Sequence, residues 1–329
     1  MRIMGKITVG IIANPESGRD IRRLIAHASV FDNMEKVNIV KRLLLIMQEL
    51  GVEKVLAMPE TFGIVPAALH AIGEHVVMEV EMLPIKVFGD WRDTLKATEL
   101  MKDKVNVIIV IGGDGTNRVV AKASGDIPIM PISTGTNNVF PYMIEATIAG
   151  ATVSAIATGM VKPEEGTYKT KRIELYEDGR LKDIALIDAA ATLHSFKGSK
   201  AVWKPEYLRE IVASVSSPYN IGLSSIPGIL KEITEQDDLG IYVELGGERG
   251  VKAPIAPGVF REIKIKETKI LELNEEVELK TSPSLLALDG ERETEMKGRI
   301  TAKITRNGPR VIDYKKTLKL AAERGFFND

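Results

Sequence analysis

The stretch Val105 to Thr116, VNVIIVIGGDGT, constrains this chain more than any other. Five consecutive β-branched residues, Val107 to Ile111, show no polar alternation. Such a run reads as a strand covered on both faces, the centre of a parallel sheet. It stops at Gly112-Gly113-Asp114-Gly115-Thr116, and helical spacing follows from Asn117 to Ala123. Asp114 is therefore expected on a strand–turn–helix corner at the carboxyl edge of a sheet, where open α/β proteins take their ligands. Gly112, Gly113 and Gly115 allow backbone to approach a ligand closely and to take up positive φ. The N-terminus of the next helix offers free N–H groups and a positive dipole end, which suit phosphate. An aspartate repels phosphate, so Asp114 makes sense there if it organises a metal on the phosphates or takes a proton from an attacking hydroxyl. A tight turn with a capping Asp or Thr would give the same short motif.

The first half alternates strand and helix patterns, as α/β domains do. Ile7 to Ala13 is a buried strand ending at Asn14-Pro15-Glu16-Ser17-Gly18, followed by Arg19, Arg22 and Arg23. Guanidinium forks match phosphate oxygens, so this cluster reads as a phosphate clamp or as a solvated face. Asn33 is expected to cap a helix running to Leu50, with Val37, Val40, Leu43, Leu44 and Met47 as its core stripe. Further strands are expected at Lys54–Met58 and Val76–Val87, and helices at Pro66–Ile72, Trp91–Met101 and Tyr142–Gly159. Ile127 to Ile132, IPIMPI, reads as a strand whose two prolines suit an edge or an irregular position. It ends in Ser133-Thr134-Gly135-Thr136-Asn137-Asn138, a second polar, glycine-containing loop after a strand. Two such loops on neighbouring strands would face one crevice.

From Thr167 the chain changes to short β segments with hairpin signals. Arg172–Tyr176 and Leu181–Leu186 flank Glu177-Asp178-Gly179-Arg180, where Asp-Gly marks a hairpin turn. Asp188 is the only acid in the apolar run ALIDAAATLH and reads as part of a polar site. Ile221–Gly228, IGLSSIPG, either lies against a ligand or simply turns. Strands are expected at Ile241–Leu245, Glu262–Ile265, Glu276–Leu279, Leu285–Leu288 and Ile300–Ile304, and a last helix at Lys316–Arg324. Asp289-Gly290-Glu291 is by itself another hairpin turn.

With 329 residues the chain can hold two cored domains. These are expected at 1–160 (α/β, nucleotide-binding, carrying the GGDGT loop) and 161–315 (β-rich), with 316–329 as a helix packing back on the first. Lys plus Arg, 44, nearly cancels Asp plus Glu, 45, so nucleic acid is not an expected partner. No apolar run approaches the roughly 20 residues that span a bilayer, and no signal peptide is evident, so a cytoplasmic protein without a membrane partner is expected. The absence of cysteine rules out disulfides, thiolate metal sites and cysteine nucleophiles. There is no Gly-Lys-Ser/Thr of a P-loop, and no G-x-G-x-x-G follows the first strand.

GGDGT at Gly112–Thr116, the earlier NPESG at Asn14–Gly18 and the late LDGE at Leu288–Glu291 resemble the superfamily of NAD kinases and diacylglycerol- or sphingosine-type lipid kinases. NPESGRDIRRL at 14–24, AHASVFDN at 26–33 and PISTGTNN at 131–138 are similar to the ATP-NAD kinases of the acetoin catabolism protein X type. The resemblance implies an α/β N-terminal domain with a mostly parallel sheet and a β-rich, sandwich-like C-terminal domain. It implies metal-assisted transfer of the γ-phosphoryl group of ATP, with Mg²⁺, to a hydroxyl of NAD or a related small molecule. It places Asp114 as base or metal organiser and Glu291 as the second catalytic candidate. It puts Asn14, Ser17, Gly18, Arg19, Gly112, Gly113, Gly115, Thr116, Thr134, Gly135, Thr136, Asn137 and Asn138 around the nucleotide, and Asp188 and Asp289 on the acceptor side. It also implies a homo-oligomer. Two features depart from NAD kinases: Ile187-Asp188 stands where their Asn-acid pair would be, and their Thr-Gly-Ser-Thr-Ala-Tyr-like loop has Ile221–Gly228 as its nearest substitute. A lipid kinase and a nucleotide-binding regulator without turnover are the alternatives. The first calls for an exposed apolar or basic amphipathic face. The second would tolerate loss of Asp114.

Overall fold

The computed structural model describes residues 5–18, 31–135, 137–193, 205–282 and 284–328. Its first sheet has seven strands: β1 (Thr8–Ala13), β2 (Lys54–Ala57), β3 (Glu79–Met82), β4 (Val107–Gly112), β5 (Pro128–Ser133), β6 (Thr167–Lys169) and β17 (Arg310–Ile312). Their order is β3-β2-β1-β4-β5-β17-β6, parallel except for the β17–β6 pair. The chain runs outward from β1 to β3, then returns to β4 on β1's other side, so β1 and β4 flank the topological switch point.

The expectation for the central strand holds. Val107, Ile109 and Ile111 pack into one core, and Ile108 and Val110 into the other, all at 0% exposure. The helices α1 (Asn33–Glu49), α2 (Ile64–Ile72), α5 (Ala146–Ala157) and α8 (Tyr314–Glu323) cover the first face. The helices α3 (Trp91–Met101) and α4 (Asp114–Ala121) cover the second. The apolar stripe of α1 is buried as expected, but its cap is Asp32, whose side chain accepts from Met34 N, and Asn33 is already inside the helix. The strand expected over Val76–Val87 is only Glu79–Met82.

The prolines of β5 do not make it an edge. It lies between β4 and β17 and is buried throughout. Pro128 is its first residue. Pro131 accepts from Tyr142 N through its carbonyl on the side away from β4, and its missing donor falls on that same side.

The second lobe is antiparallel. One sheet is β12 (Val259–Glu272), β11 (Leu239–Ala256), β10 (Leu208–Ala213), β9 (Asp188–Thr192), β14 (Ser284–Leu288) and β15 (Glu291–Met296), in that order. The other is β13 (Glu276–Leu279), β16 (Ile300–Thr305), β7 (Arg172–Glu177) and β8 (Arg180–Ala185). The two share a core of Ile173, Leu175, Ala189, Val212, Leu286 and Ile304, so they form a sandwich. The short helices α6 (Pro163–Gly166) and α7 (Ser225–Leu230) lie outside it. The Asp178-Gly179 turn has φ of 50° and 76°, the left-handed pair of a tight hairpin. Strands β6 and β17 belong to the first sheet, so the chain crosses between lobes at 170–171 and again at 306–309.

Candidate functional site

Three loops leave the carboxyl ends of β1, β4 and β5, and each is bonded to the other two. The first, 14–18, touches the second through Asn14 Nδ2, which donates to Thr116 Oγ1 at 2.9 Å. It touches the third through Thr134 Oγ1, which donates to Ser17 Oγ at 2.9 Å. Asp114 closes the triangle. Its Oδ1 accepts from Val139 N at 3.1 Å and Phe140 N at 2.8 Å, and its Oδ2 from Val139 N at 3.2 Å. Asp114 is the first residue of α4, three residues earlier than the sequence spacing indicates. Its carboxylate therefore holds the neighbouring loop instead of capping its own helix.

The glycines of the second loop serve closeness. Gly113 has φ −95°, and neither Gly112 nor Gly115 is among the described residues with positive φ, contrary to expectation. A Cβ on Gly112 would lie 2.7 Å from Thr116 Cβ, and one on Gly113 would lie 2.8 Å from Asn138 Oδ1. Positive φ occurs instead at Gly18 (75°), where a Cβ would also meet Thr134 O at 2.6 Å. In the third loop Asn138 Nδ2 donates to Ser133 Oγ at 2.8 Å, and Ser133 Oγ donates to Gly135 O at 2.7 Å.

Beneath the first loop lies a fully buried ammonium. Lys36 Nζ reaches Asn14 O (2.8 Å), Pro15 O (3.1 Å), Ser17 O (2.7 Å) and Asn33 Oδ1 (2.9 Å). A buried charge is stable only when satisfied this way, and here it fixes three carbonyls of the loop backbone, at residues 14, 15 and 17.

Opposite the loops, the second lobe supplies the other wall of a narrow recess. Asp114, Asn137 and Val139 face Ile187, Asp188, Ile221–Ser224, Asp289 and Gly290. Asp188 is 4% exposed there. Asp289 and Gly290 form the turn between β14 and β15, with φ of 51° and 79°. The Asp289 carboxylate is held by the main chain of its own lobe. It accepts from Leu186 N at 2.9 Å and Ile187 N at 2.7 Å, and Arg118 Nε lies 3.4 Å from it. Burial pushes its carboxyl up, against the downward pull of Arg118 and the main-chain N–H groups.

The sequence-derived candidates Asn14, Ser17, Gly18, Gly112, Gly113, Asp114, Gly115, Thr116, Thr134, Gly135 and Asn138 thus fall in one group of touching loops, with Asn137, Asp188 and Asp289 on the recess. Arg19, Arg22, Arg23 and Thr136 lie outside the described residues, as does the side chain of Glu291. Sequence reasoning missed Lys36, Arg118, Lys122 and Asp183. Asn33 and Lys36 occupy the register of the apolar stripe of α1, at i and i+3 before Val37 and Val40, which was the available signal.

Residues 9–161 match the family model of the ATP-NAD kinase N-terminal domain, and 171–307 that of the acetoin catabolism protein X C-terminal domain. Over 299 residues the chain is 40% identical to acetoin catabolism protein X of Cupriavidus necator, covering 87% of this chain and 83% of that protein. The chain belongs to the acetoin catabolism protein X family. This family member is also 28% identical over 135 residues to an uncharacterized protein of Archaeoglobus fulgidus, covering 41% of this chain and 36% of that one. Among solved structures it is similar to a diacylglycerol kinase from Bacillus anthracis, with TM-score 0.44, 14% identity and coverage of 93% and 96%. It is also similar to an NAD kinase from Archaeoglobus fulgidus in complex with ATP, with TM-score 0.41, 16% identity and coverage of 82% and 97%. The ATP-NAD kinase domain match supports a phosphotransferase. Among the described residues no helix is long and apolar enough to cross a membrane.

Proposed function

We propose that this protein transfers the γ-phosphoryl group of ATP to a hydroxyl of NAD or a related small molecule, with Asp114 as the proton acceptor. The observation that carries this reading is the place of Asp114: first residue of a helix, at the sheet's switch point, on a recess walled by the second lobe. The N–H groups at the start of α4 and the close-set backbone of 112–116 suit the phosphates of ATP. The loops at 14–18 and 134–138 flank them, with Arg19 and Thr136 as further nucleotide contacts. An acceptor entering between Asp188 and Ile221–Ser224 brings its hydroxyl to Asp114. The hydroxyl oxygen bonds to the γ-phosphorus, the bond to the β-phosphate bridge oxygen breaks, ADP leaves, and the hydroxyl proton goes to Asp114. Glu291 is the second candidate for that proton.

Mg²⁺ on triphosphate needs only one or two protein carboxylates beside the phosphates, and Asp114 and Asp188 on one recess fit that demand. Bound there, the ion would neutralise charge on the phosphates. Asp289 lines the same recess, and the bonds of its carboxylate to main-chain N–H groups steady the acceptor wall at 186–187.

The lipid alternative calls for an exposed apolar or basic face. Phe88 and Trp91 are each 52% exposed beside Lys86, Arg92 and Lys96. Arg92 is paired with Asp90 at 2.7 Å and Lys96 with Glu99 at 3.1 Å, so this patch offers little net charge to an anionic surface and a small soluble acceptor is favoured. A transfer screen with Mg-ATP against NAD, NADH, diacylglycerol vesicles and small alcohols tests the reading. Turnover with NAD or a small alcohol is expected, and Asp114→Asn should lower it by about 10²–10⁴-fold. No turnover with any acceptor, or an unaffected variant, defeats it.

A further inference from the structure

We propose that Arg118 is a positioning residue that locks the second lobe's wall of the cleft onto the helix that begins at Asp114; this rests on the kinase reading of the site. Arg118 lies one helical turn beyond Asp114 on α4 and is 2% exposed. Its Nε is 3.4 Å from Asp289 Oδ2 and its Nη1 is 3.7 Å from Asp183 Oδ1, both carboxylates belonging to the other lobe. Lys122, one turn further on, reaches Asp183 Oδ1 at 2.6 Å. Two cations, one on α4 and one capping its end, thus meet two carboxylates of the opposite lobe in a charge-balanced quartet, with Arg118 and Asp289 buried and Lys122 at the exposed rim.

The chain of contacts continues into the recess. Asp289 takes the N–H groups of Leu186 and Ile187, and Asp289 N donates to Asp188 O at 2.8 Å. Arg118 therefore bears on Ile187 and Asp188, the residues that face Asp114, without reaching the recess itself. A planar guanidinium engages two carboxylates at once, which a point charge on a lysine does not. The distance from Asp114 to the acceptor wall follows from that engagement. Reacting groups tolerate little misplacement: about 1 Å costs on the order of 100-fold in rate.

The test pairs kinetics with a distance measurement that needs no activity. The chain has no cysteine, so Lys102→Cys and Thr268→Cys, both exposed and one on each lobe, carry spin labels without background. The parent should give one narrow inter-lobe distance. Arg118→Ala should broaden it and lower kcat by on the order of 100-fold, leaving the KM for ATP near its parent value because the nucleotide loops belong to the first lobe. Arg118→Lys should recover part of both effects. Should Arg118→Ala not fold, Asp183→Asn removes one arm of the quartet and is expected to broaden the distance to a smaller degree. Unchanged distance distributions in these variants overturn the role of Arg118, whatever the kinetics. A parent that transfers no phosphoryl group, yet whose distance broadens in Arg118→Ala, keeps the positioning role and overturns the kinase reading instead.

Discussion

Two polar residues set the site, the fully buried Lys36 and the half-buried Asp114, and they differ in how legible they were. Asp114 is legible from its place in a glycine corner directly after a buried strand. Lys36 is not, since a lysine in an amphipathic helix ordinarily points to water. Only its place in the apolar register, three residues after Asn33 and one before Val37, marks it. Lys36→Met keeps the aliphatic stem and removes the ammonium, stranding carbonyls of Asn14, Pro15 and Ser17. We expect a loss of about 3 kcal/mol in denaturant unfolding. The KM for ATP should also rise, because the loop that carries Asn14 and Ser17 loses its support. Unchanged stability would mean that the buried ammonium is replaceable.

At the scale of elements, the strand–glycine–helix unit was readable because its pattern is local. The run Val107–Ile111 contains both faces of its burial, and the glycines follow from how near the helix doubles back. The two glycines differ in what crowds them. An added methyl on Gly112 meets the Thr116 Cβ, fixed to the helix, whereas on Gly113 it meets the mobile end of Asn138. Gly112→Ala should therefore cost about 2 kcal/mol, the scale of an overpacked core. Gly113→Ala should stay within about 1 kcal/mol as Asn138 rotates away. Thermal unfolding of the pair decides this, and equal costs would contradict the crowding geometry.

Long-range features were not legible. Asp178-Gly179 and Asp289-Gly290 are the same dipeptide with the same backbone turn. Yet Asp178 Oδ1 accepts Arg299 N at the surface while Asp289 is enclosed at the lobe interface. The dipeptide itself does not distinguish them. The difference arises only when β14–β15 docks beside β9 and α4. The prolines of β5 misled for a related reason: which side of a strand loses a donor depends on neighbours that arrive later in the chain.

At the scale of the whole molecule, the two lobes are joined by paired crossings. Thr170 N donates to Pro309 O at 3.1 Å and Gly308 N to Thr170 O at 3.0 Å. Glu235 sits against them, its side chain 17% exposed, near Lys171 N and 3.4 Å from Arg306. Burial pushes its carboxyl up to about 7, despite the Lys171 backbone N–H and the charges of Lys171 and Arg306. A carboxyl raised in the folded state binds its proton more tightly there than in the unfolded chain. Its contribution is complete below pH 4.5 and is lost as pH rises through about 7. We expect stability to fall by about 3 kcal/mol across that window, and Glu235→Gln to flatten the slope. An identical pH profile in the variant would remove Glu235 as its source.

The division into an α/β lobe and a β sandwich was legible, but its seam was not. β6 and β17 are three-residue strands that join the first sheet from within the β-rich half of the sequence. The first lobe's wall of the recess is written largely in local loops, while the second lobe's wall is assembled from residues 187–188, 221–224 and 289–290, distant in sequence. The most direct measurement is accordingly the fate of the γ-phosphoryl group. Folded wild-type protein is incubated with Mg-ATP labelled at the γ-phosphate together with NAD and small hydroxyl acceptors, and Asp114→Asn is run beside it. The label should appear covalently on one of these acceptors with the wild type and fall by about 10²–10⁴-fold with the variant. Label that remains on ATP or on free phosphate in both, or that transfers equally in both, would contradict phosphoryl transfer at Asp114.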